Sequence, residues 1–120
     1  MELDDATWRR RVTDRIRFVA EIDGEAAGTA SGGDGEVTGA SAMTAMWVDP
    51  AFRRHGIGDL LVKTVMDWAR AEGYDRMFLW VTEVNLDAQR LYARNGFKRT
   101  GASQEVRPGE LEYEMVTSLR

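Results

Sequence analysis

Cysteine is absent from all 120 residues, which excludes disulfides, thiolate metal sites and cysteine nucleophiles. Histidine occurs once, as His55, so no cluster of imidazoles can assemble and no metal is expected. Long apolar runs are missing too: none approaches the roughly 18 residues that span a membrane. The opening M-E-L-D-D-A-T-W is acidic and lacks the apolar core of a secretory signal. These two absences lead us to expect a cytoplasmic protein with no membrane partner. Excess positive charge is also lacking, since the formal net charge is −4, which argues against nucleic acid as the principal partner.

What is present is an ordinary globular composition, with 43% hydrophobic and 30% charged residues. A chain of this length hides roughly two thirds of its unfolded surface and needs no staples. One domain over residues 1–120 is expected, with 1–16 as a short helical lead-in and 17–120 as the core. In the lead-in, Asp4 or Asp5 can cap a helix running to about Val12, with Trp8 and Val12 on one face. The arginines at 9, 10, 11, 15 and 17 have no interleaved aromatic platform and read as a solvated face.

Arg17 to Ile22 has strand composition, and Asp23-Gly24 is a hairpin turn leading into a second strand, Glu25 to Ala30. The segment S-G-G-D-G-E-V-T-G that follows has no G-K-[ST] and reads as a flexible connection. From Ser41 the chain becomes strand again; Met43, Ala45 and Trp47 alternate with Met46 and Val48 as in a strand covered on both faces. Asp49-Pro50 ends it. Ile57, Leu61, Val65, Trp68 and Ala69 then recur at helical spacing, with Gly73 as the stop. Met77 to Val81 is a further strand, and Asn85 to Arg94 a second helix ended by Asn95-Gly96. Two last strands, about Phe97 to Gln104 and Glu112 to Thr117, flank a turn near Pro108-Gly109. Strand, helix, strand with a right-handed crossover makes the central strands parallel neighbours. The fold class is α/β with a mixed sheet, antiparallel at both ends. Ligands of such sheets sit outside the carboxyl ends of the central strands, where Val48 and Val81 stand.

At one of those ends lies V-D-P-A-F-R-R-H-G-I-G-D, residues 48–59. Glycines between a strand and a helix start allow successive backbone N–H groups to converge on an anion. R-R-H-G-I-G resembles the pyrophosphate motif [QR]-x-x-G-x-[GA] of the GNAT superfamily of acetyl-CoA-dependent N-acetyltransferases. L-W-V-T-E-V-N-L-D-A-Q-R-L-Y-A-R-N-G-F resembles that family's second block, L-x-V-x-x-x-N-x-x-A-x-x-L-Y-x-x-x-G-F. The D-G hairpin and the last strand are similar to their family counterparts, so the likeness runs from Arg17 to Leu119. The chain departs from the pattern before the hairpin, where the usual first strand and helix, which help wall the acceptor site, are not apparent.

The resemblance implies a GNAT-like fold whose central parallel strands splay, and an activity that moves acetyl from acetyl-CoA directly to an amine. Backbone amides of Arg54, His55, Gly56, Ile57, Gly58 and Asp59 would hold the pyrophosphate, with charge from the side chains of Arg53 and Arg54. The pantetheine would lie along Met46 and Val48, Trp47 would flank the thioester, and Val48 N–H would polarise its carbonyl. Asn85 would contact the pantetheine; asparagine is equally a good helix N-cap. Tyr92 aligns with the general acid for the departing thiolate, its alternative being a core aromatic. Acceptance of a proton from the amine, itself of pKa near 10.4, falls to Glu83 or Asp49. The acceptor would be a small-molecule amine or a peptide or protein amine. Two other classes stay open: a catalytically idle acyl-CoA-binding sensor or partner subunit, and a nucleotide-binding module unrelated to CoA. An incomplete sheet end invites a homodimer formed through strands.

Overall fold

The computed structural model describes residues 8–12, 15–53 and 56–120, and for 8–12 the backbone alone. Seven strands form one sheet in the order β1-β2-β3-β4-β5-β7-β6. They are β1 (Trp8–Val12), β2 (Arg15–Ile22), β3 (Glu25–Asp34), β4 (Ala40–Val48), β5 (Arg76–Thr82), β6 (Lys98–Arg107) and β7 (Glu110–Ser118). Helix α1 (Ile57–Ala71) crosses from β4 to β5, and α2 (Leu86–Arg94) leads from β5 to β6. The single parallel pair is β4 with β5; the other neighbours run antiparallel. The mixed sheet with a parallel centre and antiparallel flanks is thus as read from the sequence.

Side-chain alternation divides the sheet into two unlike faces. One carries Ile16, Phe18, Ala20 and Ile22 of β2, Ala30 of β3, and Met77, Leu79 and Val81 of β5, all buried. Onto it α1 lays Ile57, Leu61, Val62, Val65, Met66 and Ala69, and α2 adds Leu91 and Tyr92, in one continuous cluster. Each such buried aliphatic side chain contributes about 1.5–3 kcal/mol relative to exposure. The helix ends follow their signals: Asn85 Oδ1 accepts from Ala88 N–H at 3.1 Å at the start of α2, while Gly73 and Gly96 take positive φ just past the two C-termini.

Three expectations change. Trp8–Val12 is a strand paired with β2, not part of a helix; the ladder to Arg15–Val19 supplies hydrogen bonds that five residues of local propensity could not outweigh. The portion of that helix before Trp8 lies outside the described residues. A strand therefore does precede the hairpin, and only two residues separate β1 from β2, which leaves no room for a helix between them. Second, β3 runs on through Gly32 and Gly33 to Asp34 instead of ending at Ala30. A Cβ on Gly32 would stand 2.6 Å from the Trp68 ring, so this glycine lets α1 approach the sheet. Third, β4 is not covered on both faces, because Ala45 is exposed and Trp47 is 46% exposed. The face opposite the helices bears no element of the described residues.

Candidate active site

The site begins with a fault in β4. Ala45 takes φ of 54°, the register to β3 shifts between Thr29 and Ser31, and Thr29 Oγ1 donates to Ala45 O at 3.2 Å. This is a β-bulge, which bends the strand that carries it. On its other side β4 pairs with β5 only at Ala40↔Arg76, Ser41↔Met77 and Ala42↔Phe78, although β4 continues to Val48 and β5 to Thr82. The two strands diverge toward their carboxyl ends.

Hydrogen-bond alternation shows what lines the gap. Gly28 stands opposite Val48, and Asp49 N–H donates to Ala27 O at 2.8 Å. Gly28 and Val48 are therefore a non-hydrogen-bonded pair, and the backbone N–H of Val48 turns away from β3 toward β5. Met46, two residues earlier, has the same sense. Both belong to the stretch where β5 no longer answers, so their amides face the opening. The Val48 carbonyl accepts from Arg53 Nε at 3.4 Å.

Beyond Val48 the chain makes a short 3-10 turn, Pro50–Phe52, capped by Asp49, whose Oδ1 accepts from Ala51 N–H at 2.9 Å. Arg54 and His55 lie outside the described residues. Gly56 then sits at the N-cap of α1 with φ of 76°, a conformation costly to residues with a Cβ. No atom of the described residues lies within 4 Å of where its Cβ would be. The first helical bond is Leu60 N–H to Gly56 O at 3.0 Å, so the amides of Ile57, Gly58 and Asp59 have no partner among the described residues. Three donors without a partner among the described residues, at the positive end of a 15-residue helix, fit a phosphate group.

The second block is brought against the first. A Cβ on Gly58 would stand 3.1 Å from Leu91 Cδ2, so α1 and α2 touch where that glycine is. Asp59 receives Arg94 Nε at 2.9 Å, Arg94 Nη2 at 2.8 Å and Asn95 Nδ2 at 2.9 Å. The guanidinium, with help from Asn95, holds the Asp59 carboxyl down at about 2 against the cost of burial. The same bonds raise Arg94. The Asp59 side chain is thus a strut between helices, and only its backbone N–H is available to a ligand. Leu91, Arg94 and Asn95 were not read from the sequence as joining the two helices, although all three lie in the second block.

Helix α2 hangs from the end of β5: Gln89 Nε2 donates to Thr82 O and Glu83 O, both at 3.0 Å. Asn85 caps the helix with Oδ1, while its Nδ2 has no partner among the described residues, so both readings of this residue are compatible. Tyr92 is 6% exposed and packs edge-on to Phe97 with ring centroids 5.9 Å apart. Burial pushes its phenol up to about 12. Its hydroxyl has no hydrogen-bond partner among the described residues, yet it is not among the sealed-off polar atoms, as Trp68 Nε1 is. Glu83 Oε2 accepts from Tyr113 O–H at 3.4 Å, and no cation pairs with it among the described residues. Trp47 is not core; it stands exposed on the face opposite the helices.

The profile of the acetyltransferase (GNAT) family matches residues 1–97 of this sequence. The chain belongs to the GNAT family. Among GNAT relatives, human N-acetyltransferase 8 is 43% identical over 58 residues, 48% of this chain and 26% of that protein. Rat N-acetylaspartate synthetase is 33% identical over 93 residues, 77% of this chain and 31% of its own length. The chain therefore spans about a quarter to a third of these relatives. Among solved structures, a nourseothricin acetyltransferase superposes with a TM-score of 0.82 at 28% identity, covering 90% of this chain and 67% of the other. The GNAT fold read from the two sequence blocks is the fold of this chain. Neither of its described helices is long and apolar enough to cross a membrane.

Proposed function

We propose that this chain is an N-acetyltransferase that moves acetyl from acetyl-CoA to a primary amine by direct attack in a ternary complex. The observation that carries this reading is the divergence of β4 from β5 after Ala42↔Phe78, which leaves unpaired strand amides leading to the free N-terminus of α1. Pantetheine is an extended, amide-bearing arm, and an unfilled strand position is a fitting receptacle for it. The amides of Ile57, Gly58 and Asp59 would bind the pyrophosphate, each charged hydrogen bond contributing about 1.5–3 kcal/mol, and Arg53 adds attraction. Asn85 Nδ2 is free to orient the arm from the opposite side.

Acetyl-CoA supplies an activated acyl group on a thiol leaving group. The Val48 N–H, fixed by the strand, would donate to the carbonyl oxygen as negative charge develops there. Tyr92, kept neutral by burial, holds a proton on Oη for the departing sulfur. Glu83 is the proposed acceptor of the amine proton, through water where the two do not touch; Asp49 is less suited because its carboxylate already caps the turn. Without cysteine, no thiol carries the acetyl in between. The acceptor is a small-molecule, peptide or protein amine. One observation favours a second reading, an idle acyl-CoA sensor: the sheet face on which an acceptor wall would stand bears no element of the described residues.

Thiol release separates the two. Incubated with acetyl-CoA and a panel of amines, peptides and amino sugars, the protein should liberate free CoA only when both substrates are present. A thiol reagent reads this cleanly, because the chain has no thiol of its own. If acetyl-CoA raises the Tm while no amine on the panel yields thiol, the sensor reading takes the place of the enzyme.

A further inference from the structure

The face of the sheet opposite the helices, bare among the described residues, has a pattern that its register makes explicit. One row across it reads Arg17, Ser31, Thr44, Trp80, Glu114: Arg17 opposes Ser31, Ser31 opposes Thr44, and Trp80 opposes Glu114. Thr44 falls level with Trp80 because Ala42 pairs with Phe78 two residues earlier on each strand. The row below reads Arg15, Gly33, Ala42, Phe78, Val116. Small residues fill β3 and β4 in both rows, while the aromatics stand on β5 only. Positive charge lies on β2, and in the upper row negative charge lies on β7.

From this we infer that the bare face is the interface of a homodimer in which two copies pack sheet to sheet about a two-fold axis running along β4. Such an axis keeps strand direction and exchanges the two sides of the sheet. It places β2 of one copy over β7 of the other, and β3 over β5. Phe78 then lies over Gly33, Trp80 over Ser31, and Arg17 over Glu114. A two-fold interface requires a patch to complement itself, and this one does so in charge, cation over anion in the upper row, while the large Phe78 and Trp80 meet the small Gly33 and Ser31, which are already buried within one copy. Arg17 is exposed, and Glu114 receives only Thr100 Oγ1, at 2.8 Å; neither has an ion-pair partner among the described residues. Aligned sheets with interdigitated inner faces are a standard packing. The molecule measures 39 × 32 × 25 Å, so its broad face offers on the order of 1,000 Å², above the ~800 Å² per partner of a stable interface. This dimer uses the open face and leaves the edge strands β1 and β6 unpaired with each other. The second copy would also supply a wall beside the β4–β5 gap.

Analytical ultracentrifugation of the full chain tests the inference independently of acetyl transfer. Wild type should sediment as a dimer at micromolar concentration. Arg17→Glu and Glu114→Arg should each weaken the dimer at least ~10-fold through like charge at the contact, and the double exchange R17E/E114R should recover most of that loss. Circular dichroism confirms that the variants are folded, as expected for two non-core side chains. Trp80→Lys, next to the axis in the upper row, should give monomer. A monomeric wild type overturns the inference. So does a dimer that survives both single exchanges, or a double exchange no tighter than either single one.

Discussion

Arg94, on the last turn of α2, holds Asp59, on the first turn of α1, through two parallel hydrogen bonds of 2.9 and 2.8 Å. The bond joins the helix that offers amides to an anion with the helix that carries Asn85 and Tyr92. Asp59→Asn should therefore cost about 1 kcal/mol, the upper range for a pair open to solvent, or about 4 °C in Tm. The effect has a definite pH sign. A carboxyl held at about 2 against an ordinary 3.8 stabilises the fold fully above the unfolded value and loses that contribution as pH falls through about 2. Urea unfolding of wild type and Asp59→Asn should show a constant difference from neutral pH down to about 4 that shrinks toward pH 2. A difference independent of pH would mean that the carboxylate is not what matters.

Gly58 tests the contact from the other side. Alanine there puts a methyl 3.1 Å from Leu91 Cδ2, tight enough that Leu91 must shift. Gly58→Ala should destabilise the wild-type chain by about 1 kcal/mol, within the range for overpacking, and less in a Leu91→Ala background. Gly58→Glu adds a negative charge beside the free amides, and should abolish the rise in Tm that acetyl-CoA produces in wild type. An unchanged shift in that variant would remove the turn from the binding site.

Tyr92 has an observable that activity alone does not provide. Its phenol, raised from 10.0 to about 12 by burial, stays protonated in the fold at a pH where the unfolded chain has lost that proton. Stability attributable to the hydroxyl is complete below pH 10 and declines as pH rises toward 12. Tyr92→Phe should flatten this alkaline decline while lowering kcat about 10- to 100-fold at neutral pH. Loss of the alkaline slope with full activity would leave Tyr92 a core aromatic.

The parts legible in the sequence are those with local causes. Apolar spacing from Ile57 to Ala69, the Asn85 cap and the glycines at 73 and 96 marked both helices, and the crossover between two strands made β4 and β5 parallel. The parts not legible depend on partners remote in sequence. Arginine-rich 8–12 has no strong local preference and is a strand because β2 is beside it. Gly32 resembles a loop residue until Trp68 is seen above it. The bulge in β4 has no glycine to announce it: Ala45 takes a left-handed conformation, and its carbonyl accepts from the hydroxyl of Thr29, 16 residues away. Hence the turn before α1 carried a motif in the sequence, whereas the gap beside it was expected only through resemblance. Asp59, whose backbone amide the motif assigned to the cradle, turns its carboxylate to Arg94, a contact with no local sign in the sequence.

On the proposed mechanism the general base is one of two carboxylates whose surroundings differ. Asp49 Oδ1 is engaged by Ala51 N–H at 2.9 Å, a capping role that asparagine fills as well. Glu83 stands at the end of β5 with one long contact, Tyr113 O–H at 3.4 Å, and no cation among the described residues to hold it. A proton acceptor needs a free lone pair within reach of the amine, directly or through one water. Glu83→Gln preserves shape and removes that capacity, so kcat should fall about 100-fold, the lower range for lost general-base catalysis, with little change in acetyl-CoA affinity. Asp49→Asn should retain most activity. Tyr113→Phe, which only frees Glu83 from a weak bond, should change kcat by less than about 3-fold, since a bond this long contributes well under the usual 1 kcal/mol. Steady-state rates with one fixed amine measure all three. A larger loss in Asp49→Asn than in Glu83→Gln would move the base to the end of β4.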